Sequence, residues 1–173
     1  MTGLADTRLA EAGIFEGYAS LFGVPDLKGD AVAPGAFAAS LARRRASGVR
    51  LLWQHDPAEP VGAWLDLAED SRGLRARGRL NLGVGRAREL LALLREGSVD
   101  GLSIGFRAER ARGSPGGVRR ILERVDLWEI SLVTFPLLPG ARVHAVERAP
   151  ENDEGALAGS IRRAARTLES MRN

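Results

Sequence analysis

Three side chains in this chain have the types and settings that nucleophilic and acid–base chemistry requires. Ser103 is framed by glycines in Gly101-Leu102-Ser103-Ile104-Gly105. A hydroxyl becomes a useful nucleophile only when a neighbouring base takes its proton, and the chain has two imidazoles for that task, His55 and His144. His55 lies in Trp53-Gln54-His55-Asp56-Pro57, at the exit of a short apolar segment, where a side chain can reach a cleft. Glu129 sits inside the apolar run from Asp126 to Pro136. A carboxylate in such a strand is costly to bury without a cation or hydrogen-bond donor, and a histidine supplies one. Asp56 and Asp126 are fallback partners for the imidazole.

Each residue also has a plainer reading. Ser103 suits a tight helix-to-strand passage between two glycines, His55 a structural histidine near a strand end, and Glu129 the wet side of a half-buried strand. Gly-x-Ser-x-Gly is also the signature of the nucleophile elbow, where a strand precedes the serine and a helix follows. Here the order is reversed, because a leucine-rich helical pattern leads into Ser103 and Ile104 to Glu109 alternate like a strand. No HGGG-like segment is present either, so the elbow is rejected while the nucleophile is kept. Strict alternation places Glu129 on one strand face with Leu127 and Ser131, and Asp126 on the other with Trp128 and Ile130.

These residues need a scaffold, and 173 residues with 45% hydrophobic content suit one domain with a short appendage. The absence of cysteine removes disulfides, thiolate zinc sites and thiol nucleophiles together. Two histidines nearly ninety residues apart and no HExxH leave a metal site without ligands, so neither metal nor cofactor is expected. No apolar stretch approaches the roughly 20 residues of a membrane span, and Met1 to Glu16 lack an export signal, so a soluble intracellular protein is expected. The net charge is +3 and the pI near 10.4, but Lys28 is the sole lysine. Such a bias towards arginine reads as the codon usage of a GC-rich genome. Arg43-Arg44-Arg45 reads as a solvated helix end, and no aromatic platform adjoins it, so nucleic acid is not an expected partner.

Ile14 to Phe22, Val49 to Trp53, Val61 to Ala68 and Leu74 to Leu82 read as strands, with Pro57 and Pro60 interrupting regular pairing. Leu102 to Ala111 and Val118 to Val133 follow as long strands around a Gly-Pro tip, and Arg142 to Val146 as the last. Helices are expected from about Gly35 to Ala46 and from Gly85 to Glu96, the latter closed by Gly97. The fold class is α+β: a mostly antiparallel barrel that closes or nearly closes, covered by two or three helices. Residues 1–149 form this domain. Residues 150–173 read as a linker and a short amphipathic helix with Leu157, Ile161, Ala164, Leu168 and Met171 at coiled-coil spacing, which either docks, frays or is removed by self-cleavage.

Four segments, in order and at matching spacing from about Ile14 to Val146, carry a family resemblance. They are Gly29 to Phe37, Leu52 to Asp56 with Pro60-Val61-Gly62, Gly101 to Phe106, and Glu129 to Pro136. The chain resembles the prohead maturation proteases of tailed phages, which are similar in fold to the herpesvirus assembly proteases. The resemblance implies a serine endopeptidase with Ser103 as nucleophile, His55 as base and Glu129 as third member, His144 being the rival because acidic and histidine third members both occur among these proteases. It implies the major capsid protein and scaffold as substrates, a homodimer or higher oligomer, and action within the procapsid in a bacterial host's cytoplasm. The arginine bias suits a phage, prophage or gene transfer agent of a GC-rich bacterium. The competing reading is a noncatalytic capsid-assembly chaperone or scaffold with the same fold. An intact set of His55, Ser103 and Glu129 argues against it.

Overall fold

Alternating apolar residues and turn-forming glycines organise most of the chain into strands, and the computed structural model describes residues 13–114 and 118–147. In chain order these form β1 (Ile14–Leu21), β2 (Asp30–Val32), α1 (Ala38–Arg44), a 3-10 turn (Ala46–Gly48), β3 (Arg50–Trp53) and β4 (Asp56–Glu69). There follow β5 (Gly73–Leu80), α2 (Gly85–Glu96), β6 (Gly101–Gly113), β7 (Arg120–Val133) and β8 (Val143–Val146). The segment 150–173, with its expected helix, lies outside the described residues.

One eight-stranded sheet runs in the order β2-β7-β3-β4-β5-β1-β8, and β6 pairs with β7. β7 organises it. β2 pairs parallel with Arg120–Leu122 and β3 parallel with Glu129–Leu132, while β6 pairs antiparallel along β7 from Gly101↔Val133 to Gly113↔Arg120. The expectation of a closed or nearly closed, mostly antiparallel barrel is therefore corrected: the sheet is mixed and curls into a half-barrel. Between Arg142, which precedes β8, and the start of β6 there is one isolated bridge, Gly101–Arg142, rather than a continued ladder. The physical reason is connectivity. Parallel neighbours need long crossovers, and the whole span from β4 to β6 separates β3 from β7 in the chain.

Two α-helices are present among the described residues. In α2 the apolar residues recur at helical spacing, so Ala87, Leu90, Leu91 and Leu94 are buried against the sheet. Gly97, at φ +81°, supplies the left-handed residue that ends the helix and turns the chain towards β6. β4 begins earlier than the prolines suggest and runs through Pro57 and Pro60. It pairs with β5 only from Gly62 onward, so the missing proline N–H groups face no partner on that side. The register against β3 shifts twice in this region.

In the core Phe15 meets Trp64 edge-on at 5.6 Å, and Leu102, Leu127, Ile130 and Leu132 are fully buried. These four side chains anchor β6 and β7 in the core beneath the polar residues on the opposite face. At roughly 25 cal/mol per Å² of apolar area, burying each of them contributes about 1.5–3 kcal/mol. The basic run at the end of α1 is not a free solvated end. Arg44 grips Asp126 through Nε–Oδ1 at 3.0 Å and Nη2–Oδ2 at 2.9 Å, and Arg43 Nη2 adds a contact of 2.9 Å, pinning α1 to β7.

Candidate active site

Three adjacent strands supply the polar cluster. Ser103 is the third residue of β6 and pairs across the ladder with Ser131 of β7, while Gly105 pairs with Glu129. Ser103 and Gly105, two apart, share a face, and so do Glu129 and Ser131. Between Gly105↔Glu129 and Phe106↔Leu127 the register advances two residues on β7 against one on β6, leaving Trp128 as the extra residue of a bulge, half exposed. The bulge corrects the simple alternation: Leu127 is fully buried in the core, while Glu129 faces the site. Without that inserted residue, Glu129 and Leu127 would lie on one face.

His55 comes from the two-residue connection Gln54-His55 that closes the Trp53↔Asp56 pair between β3 and β4. Both residues have positive φ, +53° and +60°, the pattern of a type I′ turn, in which asparagine and glycine are the usual occupants. Holding non-glycine residues there costs on the order of 1 kcal/mol or more each. Three hydrogen bonds to β7 and the segment after it offset this. Gln54 N–H donates to Leu132 O at 3.0 Å, Gln54 Nε2 to Thr134 Oγ1 at 2.7 Å, and His55 N–H to Ser131 Oγ at 3.0 Å.

The result is a line of contacts through one imidazole. His55 Nε2 lies 2.9 Å from Ser103 Oγ, and His55 Nδ1 lies 2.5 Å from Glu129 Oε1. With the carboxylate as acceptor, the tautomer that fits both contacts carries its proton on Nδ1 and offers the Nε2 lone pair to the Ser103 hydroxyl. Ser131 Oγ donates to the other carboxylate oxygen, Oε2, at 2.7 Å. Burial is graded: Ser103 is 6% exposed, the Glu129 side chain 13% and the His55 side chain 43%. The acid is thus screened from water while the base stays reachable. Such a constellation can deprotonate an alcohol and hold the resulting imidazolium.

The structure brings His55, Ser103 and Glu129 together and leaves the alternatives elsewhere. His144, on β8, has Nε2 4.0 Å from Glu16 Oε1 and its ring 5.9 Å from Tyr18. Asp126 is engaged by Arg44, Trp128 and Arg43, and these donors, the Arg44 guanidinium first, hold its carboxyl well below the usual carboxylate range. Asp56 accepts the Ala58 N–H at 2.8 Å. Two residues gained no role from the sequence. One is Ser131, whose two-residue spacing from Glu129 was the available signal. The other is Gly105, where an added Cβ would lie 2.0 Å from Glu129 Oε1. Glycine is what lets the carboxylate come this close to β6.

Beside Ser103 lies a pocket walled by Leu102, Ile104, Phe106, Leu122, Leu137 and Leu138, with Ser20, Asp26 and Asp30 also in its lining. A mainly apolar lining with a few polar groups is the usual form of a site that receives an organic side chain. Comparison with known proteins covers the segment that holds these residues. The model of the caudovirus prohead serine protease family matches residues 4–154. The chain belongs to that family. It is 40% identical over 137 residues to the prohead protease of Enterobacteria phage HK97, covering 78% of this chain and 60% of that one. The chain therefore spans about 60% of the length of that curated relative. Among solved structures, the bacteriophage T4 capsid assembly protease gp21 superposes with a TM-score of 0.55 at 17% identity, over 71% of this chain and 82% of that one. The KSHV protease bound to a hexapeptide phosphonate inhibitor gives the same TM-score and identity over 75% and 63%. The last two establish a shared fold, including the expected likeness to herpesvirus proteases.

Proposed function

We propose that this member of the prohead protease family is a serine endopeptidase of capsid maturation, with Ser103 as nucleophile, His55 as general base and then acid, and Glu129 as the acidic third member. The observation that carries the reading is one imidazole hydrogen-bonded on one side to a buried serine hydroxyl and on the other to a shielded carboxylate. Ser103 Oγ attacks the peptide carbonyl as His55 Nε2 takes its proton, and the same nitrogen then protonates the departing amine. Water repeats the cycle on the acyl-enzyme. Glu129 keeps the proton on Nδ1 and stabilises the imidazolium that forms. Backbone N–H groups near Ser103 serve as donors to the oxyanion.

The substrates are assembly proteins held within the procapsid: scaffold, or the scaffolding part of the major capsid protein. The phage relative is named a prohead protease and the T4 structure a capsid assembly protease, which supports this class. Confinement in a shell supplies a high effective concentration, so modest intrinsic specificity suffices. The site of action is the procapsid in the host cytoplasm, and among the described residues no helix is long and apolar enough to cross a membrane.

The test is coexpression with the major capsid protein of the same phage or prophage. Ser103→Ala should abolish processing, a rate loss of roughly 10⁴ or more, while circular dichroism and melting stay unchanged. Unaltered processing would overturn the nucleophile. Shells that assemble and mature normally with Ser103→Ala would instead support the chaperone reading.

A further inference from the structure

The geometry points to Ser131 as a positioning residue that sets both His55 and Glu129 for catalysis, an inference that rests on the triad reading above. Ser131 is fully buried, yet its hydroxyl is spent on the two partners of the nucleophile rather than on its own strand. The direction of both bonds is forced. The His55 backbone N–H can only donate and the Glu129 carboxylate can only accept, so Ser131 Oγ receives the first at 3.0 Å and gives its own hydrogen to the second at 2.7 Å.

Each bond removes a freedom that would blur the catalytic geometry. The parallel ladder between β3 and β7 ends with Gln54 N–H on Leu132 O, so the next amide, that of His55, has left the ladder inside a turn with two positive φ angles. Ser131 Oγ is what ties that amide down, and with it the origin of the imidazole. On the other side, a carboxylate with one oxygen on His55 can pivot about its own axis. The Ser131 hydroxyl holds the second oxygen, and the missing Cβ at Gly105 leaves room for the group. Ser131 also lies in one cross-strand row with Ser103 of β6 and Leu52 of β3. A single hydroxyl thus refers the base and the acid to the strand ladder that carries the nucleophile. Displacements of about 1 Å at such a site cost on the order of 10²-fold in rate.

The test uses the full chain and a fluorophosphonate probe, whose phosphorus is attacked by Ser103 with loss of fluoride, so no peptide substrate is needed. Mass spectrometry follows the rate in the wild type, Ser131→Ala, Ser131→Cys, Glu129→Gln, the Glu129→Gln/Ser131→Ala double variant and Ser103→Ala. Expected for Ser131→Ala is a rate roughly 10- to 100-fold lower, with the half-saturating probe concentration within about 3-fold, and a smaller further loss in the Glu129→Gln background than in the wild type. The His55 Nδ1 proton resonance should also move. Ser131→Cys keeps the volume and weakens both hydrogen bonds, and it decides the matter should the alanine variant unfold.

A wild-type rate in both Ser131 variants with Glu129→Gln slow would overturn this inference alone. So would an equal loss in both backgrounds, or a loss that tracks a lowered melting temperature with the Nδ1 resonance unmoved. No labelling of the wild type, or labelling undiminished in Ser103→Ala, would overturn the triad reading and this inference with it.

Discussion

Replacing Gly105 by alanine separates catalysis from stability within one site. A Cβ there would lie 2.0 Å from Glu129 Oε1, 2.7 Å from Cδ and 2.8 Å from Cγ. Ordinary contact begins near 3.4 Å, so the carboxylate must retreat by about 1.4 Å. The Nδ1–Oε1 separation starts at 2.5 Å, and a retreat of that size carries it past the ~3.2 Å limit of a useful hydrogen bond. The displaced group is the far end of a flexible side chain that is not fully buried, so the fold absorbs the change and the melting temperature should move by only a few degrees. The chemistry does not absorb it. Losing the acidic member of a triad costs roughly 10³- to 10⁴-fold, and a misplaced one about 10²-fold or more. The assay is capsid-protein processing together with fluorophosphonate labelling of Ser103, each set against a thermal melt. A Gly105→Ala variant that folds and labels at the wild-type rate would refute the claim that the carboxylate must lie where it does.

Three further outcomes follow from the same contacts. Glu129→Gln should lower the Ser103 labelling rate by about 10²- to 10⁴-fold whereas His144→Ala leaves it within about 3-fold, and the reverse ranking would make His144 the third member. The folded-state carboxyls of Asp126 and Asp30 are held below their ordinary value of 3.8 by Arg44 and Arg120 respectively, so their contribution to stability is full above that value and is lost as pH falls through the lowered folded values. Melting temperature should therefore drop steeply below about pH 4, and less steeply in Asp126→Asn; identical slopes would exclude Asp126 as a source. Arg45 is exposed and holds φ +55° with ψ 177°, a region glycine tolerates, so Arg45→Gly should stabilise by about 1 kcal/mol and raise the melting temperature by roughly 2–4 °C. A lowered melting temperature would show that Arg45 makes up the strain elsewhere.

Much of the site was legible in the chain because its signals are local. The leucine periodicity of Gly85–Glu96, the terminator Gly97 and the alternation from Ile104 onward place Ser103 just inside a strand after a helix, and the structure agrees. Arg43 and Arg44 misled because helix-end arginines face water by default, and their partner Asp126 lies more than eighty residues away in sequence. Trp128 misled for a similar reason. A bulge is a property of two strands, and the register shift that turns Glu129 away from Leu127 is written in the pairing of β6 with β7 rather than in either strand alone.

The amino-acid order by itself determined the chemical inventory: two imidazoles, no thiol, one glycine-framed serine and one carboxylate in an apolar run. It also determined the local elements, since helix and strand periods depend on near neighbours. Only the tertiary structure decided that β3 and β6 flank β7, that the half-barrel is mixed, and that Ser131 and Gly105 hold the acid in place. Those facts depend on which distant strands share hydrogen bonds and in what register. That choice is made by burial of the whole core, and no window of a few residues contains it.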